Sequence, residues 1–305
     1  MQESSAAPPL DPSAIALLKT WEGRTETVAD EITAAPLRGL SATLDRDDPP
    51  AAAGAPVPAL GHWLYFLPQH RQSQLGPDGH ALRGGFLPPV PLPRRMWAGG
   101  RLRWEEGNPL RVGDAAERRS RIVSVEHKAG RSGELVFVLV RHEVRNARGL
   151  SLTEEHDIVY RGEPAAGAPA PAPVPMPAAG ADGFSRELLP DDALLFRYSA
   201  LTFNGHRIHY DRRYVTEVEG YPGLIVHGPL IATLLADLLR RARPDRALAR
   251  FDFRAVRPSF DGAPMRVAGR PRPDAPDGFD LWAGDAASGA LAMQATATLA
   301  GPRPA

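Results

Sequence analysis

The sequence contains no cysteine among its 305 residues. This absence excludes disulfide bonds, thiolate metal sites and a cysteine nucleophile, and it is compatible with a reducing compartment. No apolar run approaches the ~20 residues that a membrane-spanning helix needs. The N-terminal apolar run Ala14 to Leu18 is also too short for a secretory signal. These absences predict a cytoplasmic protein that binds no membrane.

Net charge is also absent, because 36 basic residues balance 36 acidic ones. A neutral chain has no electrostatic footprint for nucleic acid, although a few local arginines can still hold a small anion. The chain is 43% hydrophobic, which is enough for sizeable cores. At about 150 residues per domain, its length predicts two domains or one duplicated unit.

The clearest boundary is an alanine- and proline-rich stretch at residues 164–180. Such a composition favours an extended, semi-rigid linker. We therefore predict an N-terminal domain over residues 1–163 and a C-terminal domain over residues 181–305.

The first domain ends in a predicted β-meander. Strand-forming residues dominate 121–126, 135–144 and 152–160, and a glycine-containing turn lies at 129–133. Residues 83–100 are rich in glycine, proline and bulky side chains, so we expect a long ordered loop there.

The second domain has a long apolar helix followed by strands. Leucine and isoleucine recur at four-residue spacing from Leu230 to Leu239, and Pro229 suits the first helical position. Strands are predicted at 248–256, 265–270, 279–283 and 290–299. An antiparallel sheet around this helix, and hence an α+β fold, is the expected architecture.

Three of the nine histidines fall within 22 residues: His206, His209 and His227. The first two lie in a polar stretch, predicted to be a loop, that begins at Asn204. His227 and Gly228 precede the apolar helix, whose start offers free N–H groups to an oxyanion. A histidine base, an asparagine that orients water and an oxyanion site fit addition of water to an α,β-unsaturated carbonyl.

Simpler interpretations of the same residues exist. A loop histidine is often a surface or capping residue, and Gly228 before Pro229 fits helix capping alone. His206 and His209 resemble half a metal site, with Asp211 or His227 as further ligands. The spacing lacks the expected third ligand, so we predict neither a metal nor a cofactor.

Longer motifs resemble those of MaoC-type enoyl-thioester hydratases. Those enzymes carry an Asp-x-Asn-Pro-(apolar)-His stretch and a Gly-x-(apolar)-x-His-Gly turn into the helix of a hot-dog fold. The counterparts here are NGHRIH at 204–209 and GLIVHG at 223–228. Closer still, the stretches GHWLYFLP, LGPDGH, RGGFLPPVPLPRRMWAGG, GRSGELVFVLVRHE and RYSALTFNGHRIHYD resemble the hydroxyacyl-thioester dehydratase type 2 family.

This resemblance implies a double hot-dog fold, with two antiparallel sheets each wrapped around a long helix. The C-terminal unit would be catalytic and the N-terminal unit degenerate. His209 would be the acid/base group, with Asn204 orienting water and the Gly228 amide stabilising the enolate. Asn204 stands where the wider motif has an aspartate, and the sequence does not identify the group that replaces that carboxylate.

The resemblance also implies that the acyl group lies between the two units, within reach of several further side chains. The candidate substrate-binding residues are Trp63, Arg83, Phe86, Trp97, His206, Arg207 and His227. The two arginines are candidates for a free carboxylate, and the three aromatic residues for the pocket wall.

The implied substrate is a short branched enoyl-CoA, namely mesaconyl-C4-CoA or itaconyl-CoA hydrated to citramalyl-CoA. Three alternatives stay open: a straight-chain 3-hydroxyacyl-thioester dehydratase of fatty acid metabolism, a hot-dog thioesterase and a non-catalytic acyl-CoA-binding subunit. A homodimer is a possible assembly.

Overall fold

The computed structural model describes residues 10–130, 133–162 and 172–301. The helices are α1 Pro12–Lys19, α2 Ala34–Thr43, α3 Asp192–Leu201, α4 Arg212–Glu217 and α5 Gly228–Ala242. Short 3₁₀ turns lie at Gly61–Leu64, Gln72–Gln74 and Arg207–His209. The strands of the first half are β1 Thr25–Glu31, β2 Arg94–Trp104, β3 Ala115–Gly130, β4 Gly133–Asn146 and β5 Gly149–Arg161. Those of the second half are β6 Phe184–Leu188, β7 Leu248–Ala255, β8 Met265–Arg272, β9 Ala275–Asp285 and β10 Leu291–Leu299.

The ten strands form one antiparallel sheet in the order β1-β3-β4-β5-β2-β7-β10-β9-β8-β6. Read from its outer edge inward, the first half has the order β1-β3-β4-β5-β2 and the second half the equivalent order β6-β8-β9-β10-β7. The two halves meet where β2 pairs with β7. The expected likeness of the two halves is thus present in topology, although the sequence carries no residue-level repeat. The two sheets that we expected are joined edge to edge into one.

The prediction of a loop over residues 83–100 is wrong from Arg94 onward, because β2 begins there. Gly99 and Gly100, which suggested a loop, are needed in a crowded strand. A Cβ on Gly99 would lie 2.6 Å from the carbonyl oxygen of Phe253, and one on Gly100 would lie 2.8 Å from the Phe253 ring. Glycine is therefore selected here by the close approach of β2 to β7 rather than by a turn.

The apolar helix is confirmed as α5, which starts at Gly228, one residue before the predicted Pro229. Ten consecutive residues from Leu230 to Leu239 are buried, and the helix packs against β6, β8, β9 and β10. Its buried Asp237 binds Arg46 at 2.6 Å and Arg241 at 2.7 Å, which ties α5 to the first half. No helix in the described ranges is long and apolar enough to span a membrane.

The first half differs from the expected one-helix-per-unit pattern. Within the described residues, the connection from β1 to β2 contains only α2, two 3₁₀ turns and extended chain, where the second half has α5. The segment between α2 and β2 thus corresponds, in chain order, to the part of the second half that contains α5. It carries several of the motifs quoted above, and it brings them to the site described below.

Residues 163–171 of the predicted linker region lie outside the described residues. Residues 131–132 of the predicted turn at 129–133 also lie outside them. The described part of the linker lies on the second half of the sheet. Pro175 bridges to Ala290, and the Met176 N–H donates to the Gly289 carbonyl at 2.8 Å. The domain boundaries at 163 and 181 stay a prediction.

Candidate active site

The structure brings the three predicted histidines together between the end of α3 and the start of α5. The rings of His209 and His227 are stacked, with centroids 3.7 Å apart and planes inclined by 17°. The His206 ring meets His209 edge-on at 5.5 Å. Both His209 and His227 are buried, with 8% and 1% of their surface exposed.

His209 is held in one tautomer by the backbone. Its Nδ1 lies 2.7 Å from the carbonyl oxygen of Ile225, and since a carbonyl can only accept, Nδ1 carries the proton. Nε2 is then left with a lone pair that can take a proton from water. Burial lowers the pKa of His209 to about 4, so the ring is neutral at pH 7. His209 therefore has the orientation and charge state of a general base.

His227 leads directly into α5, and burial lowers its pKa well below the usual value. Its Nε2 lies 2.8 Å from the Ser199 hydroxyl oxygen, while Nδ1 is buried without a hydrogen-bond partner in the described residues. At the next residue, Gly228, no heavy atom other than those of its chain neighbours and the helix backbone lies within 4 Å of the position that a Cβ would occupy. The space in front of the first N–H of α5 can therefore admit an acyl oxygen.

Asn204 shapes the loop that carries these groups. Its side-chain oxygen accepts the backbone N–H of His206 at 3.0 Å, and its own N–H donates to the Ser199 carbonyl at 2.8 Å. We call residues 204–209 the histidine loop. The Asn204 NH₂ donates no hydrogen bond to the described residues, so it can orient a water.

A segment of the first half docks onto this loop; we call residues 75–82 the docking loop. The Arg207 N–H donates to the Asp78 carbonyl at 2.9 Å, and the Arg207 guanidinium donates to the Pro77 carbonyl at 2.9 Å. A Cβ on Gly79 would lie only 1.8 Å from the Gly205 carbonyl oxygen. The two loops are therefore in direct backbone contact.

This contact adds Asp78 and His80, which our sequence reasoning missed, to the site. His80 Nδ1 lies 2.9 Å from an Asp78 carboxylate oxygen, and the His80 ring lies 3.9 Å from the His206 ring. Both residues lie in the stretch LGPDGH, one of those that resemble the hydroxyacyl-thioester dehydratase type 2 family. Nothing in the sequence showed that it reaches residues more than a hundred positions away.

Asp78 and His80 form a pair in which an ionised carboxylate fixes the orientation of a neutral imidazole. Burial lowers the pKa of His80 in spite of Asp78, so this ring is neutral at pH 7. Burial disfavours ionisation of Asp78, but the hydrogen bond and charge of His80 outweigh it and hold the pKa of Asp78 well below its usual value. Burial also lowers the pKa of His206 to about 2, helped by His80 and His209. An ionised Asp78 thus accepts from His80 Nδ1 and leaves His80 Nε2 free.

The two predicted carboxylate-binding arginines are used elsewhere. Arg207 donates twice to one Asp211 oxygen, at 3.0 and 2.7 Å, and stacks on the Tyr214 ring. Arg83 donates to the carbonyls of Val90, Leu92 and Pro93. Both guanidinium groups stabilise the local chain, so the sequence-based assignment of Arg83 and Arg207 to the substrate is not favoured.

The predicted aromatic wall is only partly assembled. Trp63 and Trp97 meet edge-on at 5.0 Å, both contact Phe253, and both pack on the cluster that contains α5. Phe86 instead packs on a separate cluster under β3, β4 and β5. The buried carboxylate of Glu154 accepts the Trp63 indole N–H at 3.1 Å, which fixes that ring at the junction of the halves.

The contact between the docking loop and the histidine loop also brings together three side chains that could hold a metal ion. Asp78, His80 and His206 place one ligand atom each within 4.8 Å of one another. This set differs from the one that the sequence suggested, because Asp211 is bound to Arg207 and caps α4. The hydrogen bond between Asp78 and His80 already satisfies two of the three groups.

Solved structures share this architecture. A MaoC-like dehydratase from Phytophthora capsici superposes with a TM-score of 0.68 at 15% identity, over 93% of this chain and 97% of the other. A Mycobacterium tuberculosis protein described as having a double hotdog fold superposes at 0.55 with 15% identity, over 92% and 96%. The double hot-dog fold predicted from the sequence is therefore confirmed.

A neutral buried histidine beside the N-terminus of a helix is an arrangement that can add water to an acyl thioester or remove it. The sequence model of the hydroxyacyl-thioester dehydratase type 2 family matches residues 60–261, and the chain belongs to that family. It is 49% identical to the mesaconyl-C(4)-CoA hydratase of Chloroflexus aurantiacus, over 92% of this chain and 97% of the relative. It is 27% identical to the mitochondrial hydroxyacyl-thioester dehydratase type 2 of Schizosaccharomyces pombe, over 78% and 87%. The predicted enzyme class, a hydro-lyase, is thereby confirmed.

Proposed function

We propose that this protein hydrates mesaconyl-C4-CoA reversibly to citramalyl-CoA, with His209 as the general base. The observation that carries the mechanism is the His209 Nδ1 bond to the Ile225 carbonyl, which leaves Nε2 as a proton acceptor beside the start of α5. The identity of 49% to a mesaconyl-C(4)-CoA hydratase supports the choice of substrate. The reaction is expected in the cytoplasm, and a homodimer is compatible with it.

In the forward direction, His209 Nε2 takes a proton from water while the water oxygen bonds to the β-carbon of the acyl chain. Electron density moves from the double bond to the thioester oxygen, where the Gly228 N–H stabilises the developing enolate. Collapse of the enolate takes a proton at the α-carbon. His209 can return that proton, because a histidine with a pKa near 4 is a strong acid once protonated.

The dyad Asp78–His80 fills the role left open by Asn204. The wider motif supplies a carboxylate from the same loop, whereas here a carboxylate-oriented imidazole arrives from the docking loop. His80 Nε2 can accept a hydrogen bond from the attacking water, with the Asn204 NH₂ as a second contact. The catalytic set would then be His209, His80, Asn204 and the Gly228 amide.

The test measures the protein's activity on several enoyl-CoA substrates. Loss of the enoyl-thioester absorbance reports hydration, and release of free thiol reports hydrolysis of the thioester. Hydration of mesaconyl-C4-CoA should remove the enoyl-thioester absorbance without releasing thiol, and prior chelation should leave the rate unchanged. Thiol release would indicate a thioesterase, and preference for straight-chain enoyl thioesters would favour the fatty acid dehydratase. Loss of activity with removal of a stoichiometric metal would instead assign Asp78, His80 and His206 to a metal site.

A further inference from the structure

A hydratase of mesaconyl-C4-CoA must recognise a free carboxylate, and this carboxylate is attached to the carbon that receives water. A buried carboxylate needs a cationic partner, and arginine suits it because the two groups can pair through two parallel hydrogen bonds. Within the histidine cluster, His209 Nδ1 is already bound to the Ile225 carbonyl and His227 Nε2 to the Ser199 hydroxyl. An arginine next to the cluster is the partner that suits this carboxylate best.

Three arginines lie close enough to act on the docking or histidine loops: Arg83, Arg95 and Arg207. Arg83 and Arg207 each donate three hydrogen bonds within the chain, to backbone carbonyls and, for Arg207, also to Asp211. Arg95 forms no ion pair with any carboxylate in the described parts of the chain. Its side chain hydrogen-bonds to Tyr160, which leaves most of its N–H donors without a partner among the described residues. Arg95 is therefore the arginine at this site that can still pair with a carboxylate.

The strand fixes where Arg95 points. It is half-buried in β2 and opposite Tyr160 of β5, and side chains at directly paired positions share one face of the sheet. Two residues later on the same strand, Trp97 packs on the core cluster that contains α5 and on the His156 ring at 3.9 Å. Alternation places Arg95 and Trp97 on the same face, toward the interior.

The positive charge of Arg95 affects the pKa of several neighbouring side chains. It contributes to the lowered pKa of His80, His206 and His156, after the larger effect of burial in each case. Burial raises the pKa of Tyr160, and Arg95 opposes that rise. Arg95 is thus a half-buried cation without an ion pair among the described residues, even though Asp78 and Glu154 belong to the same region. A bound anion would supply that pair.

We propose that Arg95 binds the free carboxylate of the acyl chain and thereby sets the preference for dicarboxylyl-CoA over neutral enoyl-CoA substrates. This inference rests on the proposed function. Because the carboxylate sits on the β-carbon, holding it at Arg95 would also fix that carbon relative to the His209 base. The residue would act as a binding residue, taking no part in proton transfer.

The experiment compares two substrates that differ only at the recognised group. Mesaconyl-C4-CoA carries a carboxylate where 3-methylcrotonyl-CoA carries a methyl group, and kcat/KM is measured for both. Arg95→Met should lower the ratio of the two values by at least about 100-fold, as expected for truncating one partner of a buried charge pair. The rate with 3-methylcrotonyl-CoA should be kept, which shows that the variant folds. Arg95→Lys should retain part of the preference, since it keeps the charge and loses the bidentate geometry.

The control is Arg103→Met, on the same strand but in an exposed pair with Asp252, which should leave the ratio unchanged. An Arg95→Met enzyme with the wild-type ratio would overturn the role of Arg95 while leaving the proposed function intact. A wild-type enzyme without preference for mesaconyl-C4-CoA would overturn both, and this outcome is visible before any variant is made.

Discussion

Gly79 and Gly205 are in backbone contact across the junction of the two halves: a Cβ on Gly79 would lie 1.8 Å from the Gly205 carbonyl oxygen. Gly79 also has a φ of +85°, in the region that favours glycine. This contact carries Asp78 and His80 of the docking loop to the histidine loop. The composite site therefore depends on the absence of a side chain at one position.

Gly79→Ala should accordingly separate the two loops and lower kcat by at least about tenfold, because misplacing catalytic groups by about 1 Å can cost ~100-fold. The matched control is Gly84→Ala. Gly84 has a similar φ of +93°, but its nearest neighbour would lie 3.9 Å from the new Cβ. Both variants carry the backbone strain, so only the first should lose activity. Equal kcat values for the two, measured on mesaconyl-C4-CoA, would show that loop docking is not needed.

His209→Ala should reduce turnover by ~10²–10⁴-fold without unfolding the protein, as expected for loss of a positioned acid/base group. The control is His127→Ala, since His127 pairs with Glu134 in the hairpin of β3 and β4, apart from the histidine loop. Hydration rates and circular dichroism of the two variants are compared with wild type. More than half of the wild-type activity in His209→Ala would remove this residue from the mechanism.

Features of the site that lie within one continuous segment could be predicted from the sequence, whereas contacts between distant segments could not. Helix α5 and the stretch from His206 to Gly228 could be predicted because periodicity and motif spacing are properties of a continuous segment. Asp78 and His80 could not be assigned, since their role arises from a contact between loops about 130 positions apart. Three arginines that look alike in sequence also differ in the structure. Arg83 and Arg207 each donate three hydrogen bonds within the chain, whereas Arg95 hydrogen-bonds to Tyr160.

The errors in the fold have a similar cause. Gly99 and Gly100 suggested a loop, although glycine there serves the close packing of β2 on β7. Local composition cannot distinguish a glycine that bends the chain from one that makes room for a neighbouring strand. The expectation of a long helix in each half came from the family pattern, and the first half replaces that helix with the segment that supplies the docking loop.

Stability should fall as the pH is lowered from 7.5 to 5. Burial lowers the pKa of His142 and His209 to about 4, of His156 to about 3 and of His206 to about 2. In the unfolded chain these groups titrate near 6.5, so between about pH 6.5 and 4 the unfolded state binds more protons than the folded state. The loss should be on the order of a few kcal/mol at pH 5, where carboxylates are still ionised.

Urea unfolding at the two pH values measures this loss. His142→Gln removes one of the titrating groups and should show a smaller pH dependence than the wild type. A midpoint that stays constant, or rises, at pH 5 would show that the buried histidines are not held neutral by the fold.

The two halves should depend on each other for activity. Residues 181–305 contain His209 and Gly228, but the docking loop and Arg95 belong to residues 1–163. The fragment 181–305 would also expose the edge of β7 that normally pairs with β2, so it should self-associate and be inactive alone. Co-expression with residues 1–163 should restore solubility and turnover, because the linker is expected to tether the halves without taking part in the chemistry. Hydration of mesaconyl-C4-CoA is measured for the fragment with and without its partner. Full activity from a monomeric 181–305 fragment would show that the site is complete within the C-terminal half, and the roles of the docking loop and Arg95 would have to be abandoned.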